Sequence, residues 1–155
     1  MREQKGFTLL EVLITSAVLA LIALIAVPAF SAFSDKMLLQ QEASVLTSEL
    51  RYMRELSMGH SQTNADFPAV TAGTLPTFYI SQDQNEYAVV YNKKFYERHK
   101  MPEGMRLIAD VKRLSFSSKG DANPLSLLLD YKGKRKWVIV DIVGRIRVSD
   151  TPVEG

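Results

Sequence analysis

Three hydrophobic patterns follow one another along this chain. Residues 12–33 form an unbroken apolar run of 22 residues without a formal charge. At about 1.5 Å of helical rise per residue such a run reaches about 33 Å, enough to cross a bilayer. From residue 34 the pattern turns amphipathic: Leu39, Ala43, Leu46, Leu50, Met53 and Leu56 recur at steps of three or four, with Gln40, Glu42, Ser44, Ser48, Glu49 and Arg51 between them. That spacing draws one apolar stripe along a helix that faces a core. Met58-Gly59-His60 supplies its stop, because glycine readily takes the left-handed position after a helix. Residues 61–77, with Asn64, two prolines and Gly73, read as a connecting loop with room for one short strand. After it the apolar period shortens to two. Segments 78–80, 87–91, 95–99, 106–108, 114–117, 125–131, 135–142 and 145–148 are β-rich or alternating, with turns expected at Asn92-Lys93, Pro102-Glu103-Gly104, Lys119-Gly120-Asp121 and Lys132-Gly133.

The expected fold class is α+β. A long N-terminal helix, half transmembrane and half amphipathic, leads into an antiparallel β-rich head of two packed sheets. The partition is a leader at 1–6, a membrane or filament-core helix half at 7–33, an amphipathic half at 34–59 and a globular head at 60–155. About 120 residues outside the bilayer suffice for one small domain and not for two. The chain shows no internal repeat.

Charge changes this picture through its distribution. Residues 1–92 carry 5 basic and 9 acidic groups, whereas residues 93–147 carry 14 basic and 6 acidic, a net of +8. A basic half outside the membrane favours an anionic partner. The chain has no cysteine, which excludes disulfides, thiolate metal sites and cysteine nucleophiles. His60 and His99 lack any ligand-spaced partner, and Gly133-Lys134 lacks the flanking residues of a phosphate loop. The expectation is a non-enzyme without cofactor or metal.

Glu11 sits at the edge of the apolar run, where a charge is costly unless something stabilises it. Thr8-Leu9-Leu10-Glu11 has the capping-box spacing, and an acid in the first turn suits the positive end of the helix dipole. An ordinary secretory signal is a rival reading of this end, with Arg2 and Lys5 as the basic region and Ala29-Phe30-Ser31 as the cleavage pattern. Against it, the apolar run is long for the 7–15 residues of such a signal. A plain membrane anchor is another. Neither accounts for Lys5-Gly6-Phe7. Here the residues resemble the class III signal of type IV pilins and pseudopilins: a short basic leader, Gly6 before the cut, Phe7 after it, and Glu11 as the fifth residue of the mature chain. The resemblance implies cleavage between Gly6 and Phe7 by a prepilin peptidase that also methylates Phe7. It implies that Glu11 pairs with the N-terminal amine of a neighbouring pilin-like subunit. It further implies a single-pass inner-membrane protein with a cytoplasmic leader, its head exposed beyond the membrane and carried on a filament after processing.

Within the run, Ala17, Ala20, Ala23, Ala26, Ala29 and Ala32 follow an inclined ridge of small residues that lets helices approach closely, although alanine is also simply common in such segments. Pro28 lies where pilin-like proteins have a proline near which the helix loosens on packing into a filament. In the last third, residues 115–122, the strand at 137–140 and Gly144-Arg145-Ile146-Arg147 resemble the head of GspH/FimT-type minor pseudopilins, and the D-type competence pseudopilin of Gram-positive bacteria has the same layout. The chain lacks the acidic cation-site signature of major secretion pseudopilins and the C-terminal disulfide of many pilins, so a minor subunit is expected. The resemblance also implies contact with double-stranded DNA through Gly144, Arg145 and Arg147. Alternation in a strand would put the two arginines on one face about 7 Å apart, and Lys132, Lys134, Arg135 and Lys136 in the preceding hairpin would extend the patch, with Tyr131 and Trp137 either stacking on bases or buried in the core. A solvated charged face and a purely structural subunit of a pilus or type II secretion pseudopilus are the alternatives. The expected function is that of a minor subunit in a competence filament for DNA uptake.

Overall fold

The computed structural model describes residues 8–59, 75–91 and 94–152. The described residues form a helix α1 (Leu9–Gly59) and eight strands: β1 (Thr77–Ile80), β2 (Glu86–Tyr91), β3 (Lys94–Lys100), β4 (Met105–Ala109), β5 (Arg113–Ser115), β6 (Leu125–Tyr131), β7 (Lys134–Val140) and β8 (Ile146–Ser149). They make two antiparallel four-stranded sheets of order β3-β2-β1-β5 and β4-β6-β7-β8. By its internal packing the chain divides into two units, 1–36 and 37–155. The α+β layout and the two sheets are those the sequence pattern predicts. Gly6 and Phe7, His60, residues 61–74 of the loop expected at 61–77, and the expected turn at Asn92-Lys93 lie outside the described residues.

In the first unit the helix is apolar on every side. Leu9, Leu19, Ile25 and Phe30 are 65–82% exposed, and no residue from Leu9 to Ser34 is buried. Pro28 lies inside the helix without ending it.

In the second unit the helix is one-sided. Leu39, Ala43, Leu46, Leu50 and Met53 are 0–3% exposed while Gln40, Gln41, Ser44 and Ser48 face solvent. The stripe belongs to one core that also takes Phe78, Tyr87 and Leu114 from the first sheet and Leu107, Leu127, Leu129, Val138, Val140 and Ile146 from the second. Each such side chain contributes about 1.5–3 kcal/mol when fully buried.

Strand alternation sets which side chains enter this core. In β6 the odd positions Leu125 to Tyr131 are buried and the even ones half-buried. The β6–β7 hairpin closes through Lys132 and Gly133, both with positive φ (49° and 77°), the geometry of a type I′ turn whose twist matches the strands it joins. Most strand ends lie one or two residues from the sequence expectation, and two of these shifts have a visible cause. β7 stops at Val140 instead of continuing to residue 142, because residues 142–143 form a turn in which Ile142 and Val143 are 66% and 58% exposed. β8 starts at Ile146 because Arg145 is held in that turn.

Candidate functional site

The N-terminal junction is built around Thr8 and Glu11. The Thr8 N–H donates to Glu11 Oε2 at 3.1 Å, the Glu11 N–H donates to Thr8 Oγ1 at 3.2 Å, and the Thr8 hydroxyl donates to Glu11 Oε2 at 3.2 Å. This is a reciprocal capping box that satisfies amides otherwise left open at a helix start. Within one chain, Glu11 therefore has a local partner in an exposed position.

The basic candidates in the head fall into three groups. Arg145 belongs to the turn between β7 and β8. Its backbone N–H donates to Asp141 Oδ1 at 2.8 Å, its Nε donates to Asp141 Oδ2 at 2.9 Å, and the Asp141 N–H returns a bond to the Arg145 carbonyl at 3.1 Å. The Arg145 backbone N–H, then its guanidinium, holds the Asp141 carboxyl below the usual carboxylate range. The Arg145 side chain is still 74% exposed, so it can exchange the carboxylate for another anion. Arg147 lies in β8 opposite Ile139, on the face turned away from the core, exposed and without an ion pair among the described residues. Arg145 and Arg147 are thus both exposed, although Arg145 is presented by a turn and not by the strand.

Lys134, Arg135 and Lys136 do not form one patch, because alternation in β7 sends them to opposite faces. Arg135 points outward and holds Asp130 at 3.3 Å with 65% of its side chain exposed. Lys136 is buried, its ammonium 2.8 Å from Asp150. It sits beneath the surface that an approaching polyanion would meet, which separates it from the contact group expected from sequence. Lys134, on the Lys136 side, is half-buried. Of the two aromatics, Tyr131 joins the core, whereas Trp137 lies on the outer face, half-buried and outside the core cluster.

Gly144 has a structural role that its motif does not reveal. With φ at +71° it is buried against Gly120, and a Cβ there would stand 1.8 Å from the Gly120 carbonyl oxygen. That carbonyl accepts a bond from Arg54 Nε at 3.0 Å, Arg54 Nη2 reaches the Val143 carbonyl at 3.5 Å, and Arg51 Nη2 reaches the Ile146 carbonyl at 3.5 Å. The Ala122 N–H donates to the Ile142 carbonyl at 3.2 Å. The segments around residues 115–122 and 144–147 are therefore one structure, fastened by two arginines of α1. Sequence reasoning missed Arg51 and Arg54, which look like ordinary polar positions of an amphipathic helix. It also missed Asp141, whose signal was available: an acid opening a tight turn before a glycine.

Residues 1–27 match the family described as the prokaryotic N-terminal methylation motif. The chain is similar in fold to the minor pseudopilin EpsH from the Type 2 Secretion System of Vibrio cholerae, with a TM-score of 0.52 and 16% identity over 71% of this chain and 94% of that one. No curated protein matches the chain. An N-terminal methylation motif thus precedes a fold like that of a minor pseudopilin.

Proposed function

We propose that this chain is a minor pilin-like subunit. A prepilin peptidase cuts it between Gly6 and Phe7 and methylates Phe7, and the mature chain joins other pilin-like subunits in a filament that serves DNA uptake in competence. In this reading Glu11 exchanges its capping partner Thr8 for the amine of a neighbouring subunit, the helix around Pro28 packs into the filament core, and Arg145 and Arg147 meet the phosphates of double-stranded DNA. The chain is a substrate of enzymes and not itself one.

The observation that carries the subunit role is the match of residues 1–27 to the methylation motif, which takes in most of an apolar helix half whose side chains are exposed among the described residues. The DNA role rests on the exposed Arg145 and Arg147 within a segment of net charge +8. A second reading, a structural subunit of a type II secretion pseudopilus without DNA contact, is favoured by the likeness to EpsH.

Two experiments test these layers. Glu11→Ala should still be processed and membrane-bound yet be absent from filaments; normal incorporation would make the capping box its whole role. In the full-length chain held in detergent, Arg145→Gln with Arg147→Gln should weaken duplex binding for all sequences alike and reduce the slope of log K against log salt by about 0.9 per lost phosphate contact. An unchanged slope would leave the secretion-type structural reading in its place.

A further inference from the structure

An antiparallel sheet with one face on the core ordinarily carries polar side chains on the other. The β4-β6-β7-β8 sheet departs from this along one row. The registers align Ile108, Leu128 and Trp137 in one row across three strands, on the side opposite the buried Leu127, Leu129, Val138 and Val140. The next row on one side is Arg106, Asp130 and Arg135, and on the other Ser126, Arg147 and Ile139, the last covered to 5% exposure. Arg135 and Arg147 therefore flank Trp137, each one row away, about 7 Å along the strand direction. Asp130 is the only acid at the outward positions of these strands, and it is already bonded to Arg135. Arg106 and Arg147 are exposed and carry no ion pair among the described residues.

We propose that this face is a stacking platform for unpaired bases of single-stranded DNA, with Trp137 as its floor and Arg106, Arg135 and Arg147 holding the phosphates. The proposal rests on the DNA-contacting reading and extends it from Arg147 across the outer face of this sheet, and to a second form of the ligand. Size and charge decide the occupant. Ile108, Leu128 and Trp137 are each more than half covered, so together they offer only a small apolar area. A stable protein partner needs roughly 800 Å² on each side. One or two bases need only a ring-sized platform with cations beside it, and stacking tolerates any base because every base has a π-face. Duplex bases are already stacked on one another, so only unpaired ones can use the Trp137 ring.

Trp137 is the only tryptophan in the chain, so its emission reports this face directly. The full-length chain in non-ionic detergent is titrated at low salt with an oligo(dT) of about 15 nucleotides and, separately, with a duplex, following Trp137 emission and the anisotropy of labelled DNA. Oligo(dT) should quench Trp137 saturably. Trp137→Ala should weaken oligo(dT) binding by about 5- to 150-fold, while Trp137→Phe should retain most of it. Arg106→Gln, exposed on an edge strand, tests the face without touching the core and should lower the single-strand salt slope by about 0.7. If duplex binding depends on Arg145 and Arg147 while oligo(dT) leaves Trp137 emission and the Trp137 variants unaffected, the platform is refuted and the DNA reading stands. If neither DNA binds, both are refuted. If Trp137 emission responds to a co-purified pilin-like subunit and not to oligo(dT), the face is a protein contact and the platform is refuted.

Discussion

The two halves of α1 share a helical backbone and a high apolar content but differ in where their apolar side chains go. From Leu9 to Ser34 they point in every direction and stay exposed; from Leu39 to Met53 they line up on one side and are covered by the head's own strands. A helix with one apolar stripe carries its partner in the same chain. A helix apolar all round needs a medium or a set of neighbours that the described residues do not supply. The methylation motif at residues 1–27 fits that need, because the segment it marks is the one left uncovered.

The contrast is broken most severely from the covered side. Leu50→Asp, at a position 0% exposed, removes a core side chain and buries an unpaired carboxylate. A Leu-to-Ala change alone costs about 2–5 kcal/mol, and whole domains have about 5–15 kcal/mol of stability. The head of this variant should therefore fail to give a cooperative melt by near-UV circular dichroism.

Next in size is a pair of glycines with similar backbones and different surroundings. Gly133 (φ +77°) has open space where a Cβ would go, while Gly144 (φ +71°) faces the Gly120 carbonyl at 1.8 Å. Gly133→Ala should cost about 1–2 kcal/mol for the left-handed backbone alone. Gly144→Ala should cost clearly more, and equal losses in urea unfolding would show that the Gly120–Gly144 contact is soft.

Asp141 gives a smaller and pH-dependent effect. Its carboxyl is held below its ordinary range by the Arg145 N–H and guanidinium, so the folded state binds its proton less readily than the unfolded state. That stabilisation is complete above the unfolded carboxylate value of about 3.9 and is lost as the pH falls through the depressed folded value. The melting temperatures of the wild type and Asp141→Asn should differ near neutral pH and converge in acid. A constant gap would place the Asp141 contribution elsewhere. At the bottom of the scale, Leu19→Ala, on the uncovered half, should leave the head's melting unchanged within about 0.5 kcal/mol.

Local pattern made much of this legible. The helix stripe and the Lys132-Gly133 hairpin follow from spacing and turn chemistry, which act over a few residues. Pairing was not legible. β4 and β5 are consecutive in sequence yet belong to different sheets, and nothing in either segment names its partner strand. The same limit governs the basic region. Lys134, Arg135 and Lys136 look like one cluster in sequence, but the two-residue period of a strand splits them, burying Lys136 on Asp150 and exposing Arg135. Ile142 extended the apparent strand because it is β-branched, whereas the bonds at Asp141 and the left-handed Gly144 turn the chain there. Gly144 itself looked like part of a binding motif, and its closeness to Gly120 is a long-range fact with no local signature.

The most direct test of the contrast between the two halves is mass spectrometry of the native N-terminus. A mature chain beginning at N-methylated Phe7 is expected, retaining the whole uncovered helix for membrane and filament. A chain beginning near Ser31 would make that half a discarded secretory signal, and an intact Met1 would make it a plain anchor; either would contradict the pilin-like role.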